Sequence, residues 1–385
     1  MYIKILKLKN WRNFREAEIN MSLISYVIGP NASGKSNSLD VLRFMRDICK
    51  ADGGGLQKAV KDRGNISKLR CLHSRQDTEI KLEFHFVDQP DDDLISWRYV
   101  LGFKAEGRGN HRILISTEEV WQGDTKLLSR PDDEDKVDRQ LLTETALEQT
   151  RANKKFREVS DFFANITYLH LVPQLLKFGD VIGGNRIEGD PFGQGFLERI
   201  AKTPKRVRDS RLGKIALALS KAVPRFKELR FSQDEMGHPH LEALYEHYRP
   251  NAGWQREDTF SDGTLRLLGI LWSLQDGSGL LLLEEPEISL NEGVIEQIPL
   301  LIDTIQRSNR KARRQIIITT HSQALLRNSG IDYRGVIVLE PQKEGTKARK
   351  IDEVEQVGLD AGLTIADVVL PKTRPETIEQ MGLWE

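Results

Sequence analysis

The chain has 385 residues, 39% apolar and 30% charged, with 57 basic residues balancing 57 acidic ones. That length suits one large domain with an insertion, or two domains, built on a sizeable core. Zero net charge excludes a globally basic nucleic-acid binder but leaves room for local basic patches.

The only two cysteines, Cys49 and Cys71, form no C-x-x-C pair. Neither a zinc site nor a disulfide framework is expected, and a reducing, cytoplasmic setting fits. No apolar run approaches membrane-spanning length and no signal-peptide pattern opens the chain, so no membrane partner is expected.

In chain order, the alternation from Met1 to Leu8 predicts a strand. Trp11 to Arg15 reads as a turn, and Ala17 to Asn20 as a second strand. Trp11 or Phe14 is a candidate to stack on a purine, with Arg12 beside it. The alternative puts Phe14 in the core and leaves Trp11 half-buried.

The apolar run Leu23 to Ile28 predicts a buried strand. It leads into Gly29-Pro30-Asn31-Ala32-Ser33-Gly34-Lys35-Ser36, which is G-x-x-x-x-G-K-S. Leu39, Leu42 and Met45 then recur at helical spacing from Asn37 onward. A strand, a glycine loop and a helix start form the context a phosphate-binding loop needs. Loop N–H groups and the helix dipole point at phosphate oxygens. Gly29 and Gly34 permit close approach, Lys35 supplies a point charge, and Ser36 offers a hydroxyl to Mg²⁺.

Glu79 to Val87, Ser96 to Lys104 and Arg112 to Trp121 predict three strands in an antiparallel meander. Asp132 to Asp138 reads as an acidic solvated loop, and Leu141 to Phe163 as a charged helical stretch. Ile166 to Val172 predicts a strand ended by Pro173. Gly179 to Gly195 reads as a loop. Phe196 to Ala201 and Leu212 to Val223 predict helices, and Phe226 to Ser232 and Leu241 to Tyr248 strands. Lys202, Lys205, Arg206, Arg208, Arg211 and Lys214 form either a solvated helix face or a surface for a phosphate backbone. Arg307, Arg310, Lys311, Arg313 and Arg314 form a second patch, which equally suits a helix C-terminus.

Two apolar strands close the nucleotide argument. Gly279 to Leu283 ends in Glu284-Glu285-Pro286-Glu287. Gln315 to Thr320 ends in His321-Ser322. Strands of this kind are buried on both faces of a parallel sheet, and ligand groups gather at their carboxyl ends. Glu284 is placed to complete a Mg²⁺ site, Glu285 to polarise a water, and His321 to bond the γ-phosphate or that water. Ahead of them, Phe260-Ser261-Asp262-Gly263-Thr264 precedes an apolar helix. Ser261 reads as its N-cap, so this helix start also faces anions.

This order of motifs resembles the ABC-type ATPase heads of the SMC and RecF class. It is most similar to short bacterial AAA-type ATPases grouped with the OLD nuclease ATPases. The resemblance covers about residues 1–130 and 255–340. It implies an α/β P-loop NTPase fold: an ABC-type ATPase head with a mixed sheet, an antiparallel β subdomain and an inserted helical lobe. The implied division is an N-terminal ATPase lobe at 1–130, an inserted, mainly helical lobe at 131–254, a C-terminal ATPase lobe at 255–345 and a tail at 346–385. The implied cofactors are ATP and Mg²⁺.

Residue by residue, the loop with Lys35, Ser36 and the adjoining Asn37 would bind phosphates, with Arg12 nearby. Glu284 would bind Mg²⁺, Glu285 would be the catalytic base and His321 the switch histidine. Ser261 to Gly263 would be the signature that caps a γ-phosphate held by a second subunit. Ser289-Leu290-Asn291 takes the D-loop position. Gln174 is the candidate for the metal-side glutamine; a surface glutamine is the alternative.

The match departs from the family in two places. Phe-Ser-Asp-Gly-Thr stands where transporters carry Leu-Ser-Gly-Gly-Gln, which favours the RecF/OLD branch over transporters. Glu284 replaces the commoner Asp. No sustained heptads and no nuclease acidic triad occur. The expectation is a homodimer, or a larger homo-oligomer, closing on ATP. It would regulate a separately encoded effector, a nuclease or toxin, in phage defence, with DNA as a candidate partner. The alternatives are a RecF-like repair ATPase and a nucleotide-gated scaffold.

Overall fold

The computed structural model describes residues 1–74, 77–107, 112–178, 192–247, 253–308 and 313–373. Three sheets organise them. The first is a six-stranded antiparallel sheet in the order β2-β1-β4-β5-β6-β7. Its strands are β1 (Tyr2–Trp11), β2 (Phe14–Asn20), β4 (Ile80–Val87), β5 (Trp97–Ala105), β6 (Ile113–Gln122) and β7 (Thr125–Arg130). The meander is therefore as expected, with β7 as one more strand than the sequence suggests.

The second sheet is mixed, in the order β15-β14-β3-β13-β12-β8. Its members are β3 (Ile24–Ile28), β8 (Thr167–Leu169), β12 (Leu281–Glu284), β13 (Ile316–Thr320), β14 (Val336–Gln342) and β15 (Gly345–Arg349). All neighbours run parallel except β15 on β14. These are the apolar runs of the sequence, and they are covered on both faces. Val27, Leu282, Ile317 and Ile337 face one core, with the Lys35–Cys49 helix and the antiparallel sheet. Ile28, Leu281, Leu283, Ile318 and Val338 face the other, with the Asp262–Gln275 helix. The strand period of two splits each run between the two cores.

A small third sheet joins β9 (Phe226–Gln233), β10 (Pro239–Tyr245) and the short β11 (Gln255–Arg256).

Several expectations change. Trp11 and Phe14 are both fully buried, so neither is exposed to stack on a purine, and Trp11 is not half-buried. The Trp11 ring lies 5.2 Å from Phe44, and its indole N–H donates to the Asn37 carbonyl at 3.0 Å. The acidic run forms a short helix, Asp133–Val137, closed by a capping box. Asp135 there is buried against Arg130 at 2.7 Å.

The stretch 131–254 is not a lobe apart. It contributes β8 to the mixed sheet, and its Arg157–Ala164 helix places Val159 and Phe163 in the same core as the Lys35–Cys49 helix. Nor is the stretch after 345 a loose tail. β15 extends the mixed sheet, and Ile365 and Val369 of the Ile365–Thr373 helix are buried in the second core. Most of the Gly179 to Gly195 loop lies outside the described residues.

Candidate functional site

β3 delivers the phosphate loop at its carboxyl end. Ala32 and Gly34 take positive φ, 63° and 99°. A Cβ on Gly34 would lie 2.1 Å from Asn13 Nδ2, so only glycine fits there. The Lys35–Cys49 helix begins with no side-chain cap, which leaves its first N–H groups free for an anion. Lys35 Nζ donates to the Gly29 and Pro30 carbonyls at 2.9 and 3.2 Å, folding back over the loop. Burial lowers its pKa, opposed by Glu285, Glu287 and Glu284. The Ser33 hydroxyl is buried without a partner. Pro30 and Asn31 lie at the loop's rim, and Asn31 is exposed.

The parallel sheet brings the distant motifs to this loop. Ser36 Oγ donates to Glu284 Oε1 at 2.5 Å, and Tyr168 OH donates to Glu284 Oε2 at 2.5 Å. Burial, then the Glu284 charge, pushes the Tyr168 pKa well up, so the phenol stays a donor. Arg43 stacks over that ring at 4.2 Å. The Ser36 hydroxyl and the Glu284 carboxylate form a hard-oxygen pair at a strand end, the donor type Mg²⁺ takes.

Glu285, the next residue, has φ of 42°, a left-handed conformation that is uncommon outside glycine. Its N–H is held by the Thr319 carbonyl at 3.0 Å. That turn brings Glu285 Oε1 to 3.2 Å from His321 Nδ1 at the end of β13. Beneath them Glu287 is buried. Its Oε1 accepts from Thr320 Oγ1 at 2.6 Å and from the His321 N–H at 3.2 Å. Burial raises its pKa, and its Oε2 has no partner.

Ser261 caps the Asp262–Gln275 helix, accepting from the Thr264 N–H at 3.1 Å, as the sequence implies. A Cβ on Gly263 would sit 2.6 Å from the Ser289 carbonyl, so this helix start packs directly on the turn after β12. Asp262 accepts from Gln174 Nε2 at 2.7 Å and from Lys177 Nζ at 2.8 Å. Gln174 therefore bonds the signature here and not the Ser36–Glu284 pair. Arg12 makes two bonds to Asp40 Oδ2, at 3.0 and 2.7 Å, and Asp40 also accepts from Arg63. No base-stacking neighbour accompanies it, since Trp11 and Phe14 are core residues.

Two site residues escaped the sequence reading. Tyr168 reaches Glu284 only because β8 pairs with β12. Asn13 Nδ2 donates to the Ser33 carbonyl at 2.8 Å and to Thr346 Oγ1 at 2.7 Å, and its Oδ1 accepts from Asn37 Nδ2 at 2.7 Å. A polar side chain in a turn before a phosphate loop was the only available signal.

The second basic patch loses Arg314, while Arg307 and Arg313 stay exposed. Arg314 is buried, donating to the Ser273, Asp276 and Gly279 carbonyls, and Arg307 pairs with Asp303 at 2.8 Å. Arg310 and Lys311 lie outside the described residues. In the first patch, Arg208 stacks on Phe231 at 3.8 Å and Arg211 pairs with Asp276 at 2.8 Å. Lys202, Lys205, Arg206 and Lys214 stay exposed.

Residues 24–327 match the family described as "AAA domain, putative AbiEii toxin, Type IV TA system". The DNA replication and repair protein RecF of Desulforamulus reducens is 32% identical over 88 residues, 23% of this chain. That match spans only 22% of the RecF sequence. Among solved structures, an Smc head bound to the C-winged helix domain of ScpA superposes with a TM-score of 0.56 at 15% identity. It covers 92% of this chain and 100% of that one. The Pyrococcus furiosus Smc head with an extended coiled coil gives 0.51 at 14% identity, over 94% and 98% of the two chains. The fold is thus that of an SMC/RecF-like, ABC-type ATPase head. With the family matched across both lobes of the site, this chain belongs to that AAA-domain family.

Proposed function

We propose that the chain binds and hydrolyses Mg²⁺·ATP, and that two copies close on two ATP molecules. The observation that carries this reading is the bond between Ser36 and Glu284, with the Glu285–His321 pair one residue further on. Ser36 and Glu284 would hold Mg²⁺, and the loop N–H groups and Lys35 would hold the phosphates. Mg²⁺ supplies charge neutralisation on the β- and γ-phosphate oxygens. Glu285 takes a proton from the attacking water, and His321 orients the Glu285 carboxylate. The Ser261 end of its helix serves the γ-phosphate carried by the other copy.

For the cellular role we propose an ATPase that works in the cytoplasm and regulates a separately encoded effector, a nuclease or toxin, in antiviral defence; the toxin and type IV TA system in the family description support this reading. A second reading, direct action on DNA, is favoured by the RecF match and by the exposed lysines and arginine of the Lys205–Ala222 helix and the residue Lys202 before it.

Glu285→Gln tests the core of the proposal. Hydrolysis should fall about 10²–10⁴-fold, the range for loss of a general base. Mass measurement with ATP should show an accumulating dimer. An unchanged rate would instead make the chain a nucleotide-gated scaffold.

A further inference from the structure

The transporter signature has glycine where this chain has Asp262. An acid there stands at a helix start that the proposed dimer would press against a triphosphate. Like charges at that distance repel, so the chain needs a compensating cation.

The structure supplies it. Lys177 Nζ lies 2.8 Å from Asp262 Oδ1, and Gln174 Nε2 lies 2.7 Å from Oδ2. Both come from the Pro173–Lys177 helix just beyond β8. The Lys177 side chain is only 14% exposed, against 34% for Asp262, so this is a fixed pair and not a passing surface contact.

One turn along, Arg266 is 6% exposed and its Nε has no hydrogen-bond partner. Burial lowers its pKa, opposed by the charge of Asp262 and then by those of Glu287 and Glu285. Among the described residues nothing accepts from that buried N–H, and a buried donor left unpaired is costly unless something completes it. The signature end therefore carries Lys177 and Arg266 besides the helix N-terminus, beside the acid Asp262.

We infer that Lys177 is a phosphate-binding residue, held at the signature by Asp262, which Gln174 steadies, and that it serves the triphosphate carried by the second copy of this chain. The inference rests on the proposed ATP-closed dimer and adds to it the residue that reconciles Asp262 with a phosphate. Asp262 aims the ammonium group; the ammonium group cancels the charge of Asp262. Removing only the cation leaves the acid facing the phosphate.

The test uses the full chain with Glu285→Gln, so that ATP is retained, and measures dimerisation against protein concentration by mass. Adding Lys177→Met should weaken the ATP-dependent dimer by about tenfold or more. Lys177→Arg should retain most of it. ATP affinity of the monomer should stay within about twofold, since the phosphate loop is untouched, and this also verifies folding. Adding Asp262→Gly to Lys177→Met should restore much of the dimer, because the uncompensated acid is gone.

Dimerisation that ignores Lys177→Met, or tightens, overturns the inference. So does a loss that Asp262→Gly fails to relieve, which would make Lys177 a brace for its own segment. Failure of Glu285→Gln alone to dimerise with ATP overturns the closed-dimer reading together with this one, and is seen before any Lys177 variant is made.

Discussion

Asn13 links three parts of the nucleotide site with one amide. It bonds the loop carbonyl of Ser33, the Asn37 side chain on the following helix, and the Thr346 hydroxyl on β15. Asn13→Ala should leave these partners unsatisfied, at a cost of about 1–3 kcal/mol. Part of that cost falls on the loop, so affinity for a non-hydrolysable ATP analogue should drop about tenfold in a calorimetric titration. Wild-type affinity in that variant would mean the loop holds its shape without the amide. Residue-level legibility follows the same division. Lys35, Ser36, Glu284, Glu285 and His321 could be read because each stands in a local run whose flanks declare a strand end. Asn13 and Tyr168 could not, because Thr346 lies 333 residues from Asn13 and Glu284 lies 116 from Tyr168. Such pairings exist only once the sheets have formed.

At the scale of elements, Glu148 shows how the segment after β7 is fastened. Its carboxylate accepts from the Leu56 N–H at 2.7 Å, at the start of the Leu56–Asp62 helix, and from the Thr145 N–H at 2.6 Å. Burial raises its pKa to about 7, the two N–H donors oppose this, and Glu144 and Glu118 add to it. The folded value lies above the ordinary one, so the folded state holds this proton while the unfolded chain has released it. Stability from this group is present in full below about pH 4 and is lost as pH rises to about 7. Glu148→Gln cannot ionise. Relative to the parent, its urea midpoint should therefore improve between pH 5 and pH 8. A difference that is flat with pH would remove Glu148 from this account. The same segment explains why 131–254 reads as a separate helical lobe. Its charged, broken helices resemble an insertion by composition. One of the links that join it to the body is a strand of three residues, β8, too short to announce its place in a sheet.

The whole molecule is two cores sharing one sheet. Leu282 and Ile317 point into one, and Leu281, Leu283 and Ile318 into the other. Trp11 is buried in the first and Trp272 in the second. Leu282→Ala should cost about 2–5 kcal/mol, as large-to-small changes in a packed core do. Because the strands are common property, the loss should appear in both cores at once. Tryptophan fluorescence and circular dichroism should shift to the same lower denaturant midpoint. Separate transitions by the two probes would show that the cores melt independently.

The contact between Asn13 and Thr346 also bears on the order in which the protein is made. A ribosome delivers the glycine cradle early, yet the strand that steadies its underside is translated more than 300 residues later. A nascent chain thus carries an unfinished cradle through most of its synthesis. The full set of Asn13 bonds can form only once β15 has emerged and Thr346 is in place behind the loop.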